Sequence, residues 1–137
     1  AVPGVPEVLS AIGAHNRIQR LNALIGLDRL DEARAFSGEA LEWCRRFDVL
    51  DIFQVIALLA ARQGRAQVAT MFLGHHRASL ARHGASLPAD THAPWREAQR
   101  IVAGQLGDAA LQAGMQRGEQ LSAEAADRLL VDDPAPQ

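Results

Sequence analysis

His75 and His76 have the clearest capacity for chemistry in this chain, because an imidazole can ligate a metal or exchange a proton near neutral pH. Being adjacent, they point about 100° apart on a helix and cannot face one ion together. His83 follows His76 by about two helical turns and could share a face with it. No HExxH, no CxxC and no convergent carboxylate completes a ligand set. The spacing therefore predicts no metal site and reads the three as partly buried or capping histidines. Cys44, the single cysteine, falls on the apolar stripe of its helix with no pattern around it that would activate a thiol. An inert core cysteine is expected. Asp28, Asp31, Glu32, Glu39 and Glu42 alternate with Arg29 and Arg34, as solvated helix faces do. No nucleophile or base converges on them, so no catalytic residue is expected. The glycines form neither G-x-x-x-x-G-K-[ST] nor G-x-G-x-x-G, the two patterns that cradle phosphates, and no cofactor is expected. Trp43 and Trp95 read as core or groove-lining anchors, with Trp95 able to stack on a ligand because it follows the one long loop.

Composition sets the frame for these side chains. A length of 137 residues suits one domain with a real core. Apolar residues make up 48% and aromatics 4%, so the core must be Ala, Leu, Val and Ile packed between close helices. A net charge of -2 without Lys/Arg runs argues against direct nucleic-acid binding or an anionic membrane surface. The longest apolar run, Val55 to Ala61, is far short of the roughly 20 residues of a membrane span. One cysteine excludes an internal disulfide and points to a cytosolic, reducing address. Ala1 to Pro6 reads as the cut edge of a longer chain, and residues 132–137 as a frayed tail.

The elements that must carry these residues are all helical. After Pro6-Glu7, the apolar positions Leu9, Ile12, Ile18, Leu21, Leu24 and Ile25 recur at helical spacing until Gly26-Leu27-Asp28. A second helix from about Leu30 carries Ala33, Phe36, Ala40, Cys44 and Phe47 on one stripe. Asp48 is the expected N-cap of a third, apolar nearly all round from Ile52 to Leu59 and so the most buried. Gly64 precedes a fourth helix that closes at Gly84. Residues 85–93, with Leu87-Pro88 inside, form the one irregular connection. Pro94 opens a fifth helix, Asp108 caps a sixth that Gly118 stops, and Ser122 caps a seventh from Ala123 to about Val131. The expected class is all-α with about seven helices.

Sliding the first helix pair onto the second aligns Asp28 with Gly64, Ala33 with Ala69 and Phe36 with Phe72, a shift of about 36 positions. That is near the roughly 34-residue period of tetratricopeptide repeats, in which small residues such as Ala33 and Ala69 let paired helices approach closely. His76 falls where the first pair has Ala40. Residues 1–84 thus read as two such pairs and 94–131 as capping helices. Two pairs are fewer than a repeat stack needs by itself, which leaves a face of helix 1 uncovered and predicts a homodimer of the isolated chain.

From Val68 to Leu130 the chain resembles the C-terminal end of large bacterial regulators. These join a DNA-binding domain to a signal-transduction ATPase and a tetratricopeptide-like sensor, and include the MalT-like, AfsR-like and LuxR-type or winged-helix relatives. Their ends read Leu-Leu-Gly-Ala-Ala, Gly-x-x-Leu-Pro, an aromatic-led helix, Leu-Gly-x-x-x-Phe and Trp-x-x-Gly-Arg-x-Leu-Ser-x-x-Glu-Ala. Here Phe72-Leu73-Gly74-His75-His76, Gly84 with Leu87-Pro88, Trp95, Leu106-Gly107, Gly118, Leu121-Ser122 and Glu124-Ala125 supply those blocks. Leu111, Met115 and Glu119 stand where Phe, Trp and Arg are usual, and His75-His76 replace the small pair. The resemblance implies that ATPase and DNA-binding parts precede residue 1, and no ATPase motif is present to carry over. It implies a non-enzymatic module that receives a protein partner or small-molecule effector. His15, Asn16 and Gln19, polar positions on an apolar helix, are the expected groove residues together with Trp95. The alternative is a structural cap and dimerisation domain without a ligand.

Overall fold

Asp28 and Gly64, the residues that the sequence repeat aligns, both take left-handed backbone angles, with φ of 61° and 78°. Glycine does so freely and aspartate is among the side chains that tolerate it. The residues after them, Arg29 and Arg65, send their amides back to the carbonyls of Leu24 and Ala60 at 2.9 Å, closing one helix and aiming the next. The computed structural model in which this is seen describes residues 7–84 and 92–131, with side chains from residue 11 onward. Pro6, where the first helix is expected to be set up, the Leu87-Pro88 connection and the tail 132–137 lie outside the described residues.

Seven helices and no strand are present among the described residues: α1 (Glu7–Gly26), α2 (Leu30–Arg46), α3 (Ile52–Arg62), α4 (Ala66–Arg82), α5 (Ala93–Leu106), α6 (Asp108–Glu119) and α7 (Ala123–Leu129). The all-α expectation holds. The repeat is a repeat of backbone as well as of sequence. Helices α2 and α4 each run 17 residues, and each is followed by a second left-handed residue, Asp48 at φ 56° and Gly84 at φ 72°. Ala33, Ala40, Ala69 and His76 are all fully buried at their equivalent places.

Helices α1 and α2 pack as one pair and α3 and α4 as the next, with α3 lying against α1 and α2. Helix α5 then lies against α3 and α4, and α6 packs closely along α4. This arrangement wraps α3, which is buried from Ile52 to Ala61 as its all-round apolar sequence requires. It also buries α4 nearly all round, from Val68 to His76. Leu111 and Met115 turn inward from α6, 2% and 0% exposed, and fill the space with smaller apolar groups than the resemblance leads one to expect.

Three local expectations are corrected. Asp48 is not the N-cap of α3; it is the left-handed residue that closes α2, with Val49 donating back to the Cys44 carbonyl at 2.9 Å, and α3 starts only at Ile52. Asp108 is not a cap but lies in the first turn of α6, with Gly107 at φ 86° before it. Gly118 does not stop α6, which continues to Glu119. Its role is contact. A Cβ on Gly118 would sit 2.0 Å from the Met71 carbonyl oxygen, and one on Gly74 would sit 1.9 Å from that of Met115. These two glycines let the backbones of α4 and α6 touch.

Ser122 caps α7 as the sequence indicates, its hydroxyl accepting from the Ala125 amide at 3.1 Å. Replacing it with alanine removes that acceptor and should lower unfolding free energy by about 1 kcal/mol in urea titrations. Unchanged stability would mean that packing alone holds α7.

Candidate functional site

Helix α2 presents Asp31, Arg34, Ala35, Gly38, Leu41, Glu42 and Arg45 at intervals of three and four, which places them on one face. That face forms one wall of a groove of about 710 Å³, whose other wall is Asp127, Leu130 and Val131 at the end of α7. The groove exists because arginines hold α7 over α2. Arg34 donates to the carbonyls of Leu130 at 3.3 Å and Val131 at 3.0 Å, and Arg65 to that of Leu129 at 3.0 Å. Arg45 pairs with Asp127 at 2.8 Å and donates to the Ala123 carbonyl at 3.1 Å. Carbonyls at a helix C-terminus lack intrahelical donors and carry partial negative charge, so cationic side chains suit them. The seven-residue α7 is held by these bonds and by its buried Ala126 and Leu129.

Two of the rim's cations are thus engaged by α7. Asp31 and Glu42 remain on the α2 side, exposed, with Glu42 making a long surface contact to Arg46 at 3.4 Å. The floor is apolar and small: Ala35 and Gly38 are exposed, Leu130 half-buried, and Val131 69% exposed. Nothing lies within 4 Å of where a Gly38 Cβ would be.

The expected groove residues are elsewhere. His15, Asn16 and Gln19 lie exposed on α1, away from this groove, on a face whose one large exposed apolar side chain among the described residues is Ile12. Trp95 is buried, its indole N–H donating to the Leu73 carbonyl at 3.4 Å, and acts as an anchor of α5 in the core. Cys44 is buried with its thiol pushed up to about 12, by burial first and then by Asp51, against a smaller opposite pull from Arg17. It is an unreactive thiol at neutral pH.

The adjacent histidines diverge, as helical geometry requires. His75 meets Phe53 edge-on at 4.7 Å and lines a cavity of about 420 Å³ that also holds His83. Its pKa is lowered to about 4 by burial, then by Arg45 and Arg82, with Asp127 opposing. His76 turns the other way. Its Nδ1 lies 3.1 Å from the Leu50 carbonyl, which can only accept, so Nδ1 carries the proton and Nε2 the lone pair. Its pKa is also lowered to about 4, by burial and then by His92, while Asp51 and the Leu50 carbonyl oppose. His92, directly before α5, has its ring 5.6 Å from that of His76. Asp51, His76 and His92 bring ligand atoms within 4.8 Å of one another, and this is the grouping that could hold a metal. Adjacency of His75 and His76 was the visible signal in the sequence. The actual neighbours of His76 come from other segments, the α2–α3 connection and the residue before α5, and carry no local pattern.

No family model, no curated protein and no solved structure matches the chain.

Proposed function

We propose that the chain is a non-catalytic helical interaction module whose receptor surface is the α2–α7 groove, and that its partner is an amphipathic protein helix with basic residues beside its apolar stripe. The observation carrying this reading is the open apolar floor bordered by Asp31 and Glu42, with the neighbouring Arg34 and Arg45 engaged by α7. A helix laid along such a groove anchors apolar side chains on its floor, and its Lys or Arg residues meet the acidic rim. In this reading the chain is the C-terminal sensor of a bacterial transcriptional regulator, cytoplasmic, with its ATPase and DNA-binding parts in preceding sequence. The support for that parent is the run of motif blocks from Phe72 to Ala125. The alternative, a cap that dimerises through α1, would have to bury a face on which Ile12 is accompanied by His15, Asn16 and Gln19.

A direct test is Gly38→Trp. Nothing lies within 4 Å of where a Gly38 Cβ would be, so the substitution starts in open space on the groove wall and replaces a poor helix former. Titrated with a designed peptide carrying leucines at i, i+3 and i+4 flanked by lysines, the wild type should bind saturably and Gly38→Trp at least tenfold more weakly. Equal affinity for the two proteins rejects the groove. Light scattering on the same samples reports whether α1 supports a homodimer.

A further inference from the structure

We propose that Asp51, His76 and His92 form a binding site for a divalent transition-metal ion of the zinc type, one that staples the start of α5 to α4 and to the α2–α3 connection. This assignment is independent of the partner groove, whose lining includes none of these three residues.

The donor set is the first reason. Two imidazoles and a carboxylate suit zinc and its neighbours, whereas calcium and magnesium prefer all-oxygen sites. The state of His76 is the second. With Nδ1–H held by the Leu50 carbonyl at 3.1 Å, the ring is fixed in the tautomer that offers Nε2, the outer hydrogen bond that metal-bound histidines usually make. Third, His76 Nε2 and His92 Nδ1 are both buried without a hydrogen-bond partner, in side chains 0% and 7% exposed. Buried polar atoms are seldom left unsatisfied, and a cation held between these two rings and the Asp51 carboxylate would give both rings a partner. Asp51 is the exposed member and marks the route by which an ion enters.

The surroundings orient the set. Gln54 donates to the Asp51 carboxylate at 3.4 Å and accepts from the Trp95 amide at 3.2 Å, so one side chain ties the carboxylate to the helix that His92 precedes. A tetrahedral ion with bonds of about 2.0–2.2 Å keeps its ligand atoms roughly 3.3 Å apart. The atoms here lie within 4.8 Å, so small side-chain rotations of Asp51 and His92 bring them to coordination distance. Three protein ligands leave a fourth position for water. Because the ligands come from three separate elements, the ion would bind the folded chain in preference to the unfolded one and raise its stability by mass action.

The experiment uses the tag-free chain, stripped with chelator and titrated with Zn2+, Co2+, Ca2+ and Mg2+ while thermal unfolding and calorimetric stoichiometry are followed. One equivalent of Zn2+ should bind and raise the Tm by several degrees, Co2+ should give the visible absorption of a low-symmetry site, and Ca2+ and Mg2+ should do neither. Asp51→Asn, at an exposed position, and His92→Gln, which keeps a side chain of similar size at a buried one, should each weaken Zn2+ binding at least tenfold. His15→Ala and His83→Ala should leave it unchanged. The proposal is overturned by absence of Zn2+ binding to the wild type at millimolar concentration. It is equally overturned by binding that survives either Asp51→Asn or His92→Gln, which would locate the ion elsewhere.

Discussion

Gly74→Ala and Gly118→Ala are each expected to destabilise the chain by about 1–3 kcal/mol, although alanine is the better helix former by about 1 kcal/mol. The reason is the partner each new methyl group would meet. At Gly74 it is the Met115 carbonyl at 1.9 Å, and at Gly118 the Met71 carbonyl at 2.0 Å. Both are backbone atoms inside helices and cannot rotate aside. Relief requires α4 and α6 to separate, which loosens the packing of Phe72, Leu111 and Met115, all nearly or fully buried. At Gly114 the methyl would meet the Thr70 hydroxyl at 2.0 Å, which can rotate aside, but also the Thr70 Cβ at 2.5 Å, which the α4 backbone holds in place. A loss of similar size is expected there. Gly38→Ala and Gly104→Ala point into open space and should stabilise by about 0.5–1 kcal/mol. Urea unfolding of the five variants gives the ranking. If Gly118→Ala proves as stable as Gly38→Ala, the helices do not cross at these glycines.

Acid should unfold the metal-free protein well above the range in which carboxylates titrate. His75 and His76 are both lowered to about 4 in the folded chain, from an ordinary value near 6.5. Above that ordinary value neither state binds the protons and stability is complete. As pH falls from about 6.5 to about 4, the unfolded chain takes up protons that the folded chain refuses, so stability declines. Each histidine contributes at most about 3 kcal/mol across that window, a large share of the roughly 5–15 kcal/mol typical of a domain. The two losses are coupled because a charge on His75 opposes protonation of His76. The groups facing them act in both directions: Arg45, Arg82 and His92 against protonation, Asp51 and Asp127 for it. Urea titrations from pH 8 to pH 4 in chelator should show midpoints falling through this window. His75→Phe keeps an aromatic ring against Phe53 and should flatten the slope by roughly half. A slope identical to wild type would remove His75 from the account.

Much of the fold was legible because its signals are local. Helical spacing of Ile18, Leu21 and Ile25 marks the buried face of α1, and all three are buried. The match of Asp28 to Gly64 predicted a repeated unit, and both residues adopt the left-handed turn that starts it. Ser122 is recognisable as a cap because a cap bonds only a few residues ahead. Where two local readings compete, the sequence is less decisive. Asp48 has the side chain of an N-cap and the conformational tolerance of a helix closer, and the second role won because the Val49 amide completes the end of α2.

The candidate sites were far less legible. His15, Asn16 and Gln19 stand out as polar interruptions of an apolar helix, and they lie exposed on α1 away from the α2–α7 groove. The groove depends on Arg34, Arg45 and Arg65 reaching carbonyls and a carboxylate many residues away, and nothing beside each arginine announces that target. Gly118 looks like a stop in a linear reading, since glycine is a poor helix former. Only the passage of Met71 across it shows why no larger residue fits.

The amino-acid sequence by itself determined the helices, their order and the faces they bury, because apolar periodicity and turn residues act over a few positions of the chain. Tertiary structure alone decided that Gly74 and Gly118 are where α4 and α6 touch, and that His76 meets Asp51 and His92 instead of His75. Those relations hold between residues in different segments, and they arise only when packing sets the rotation of each helix against its neighbours.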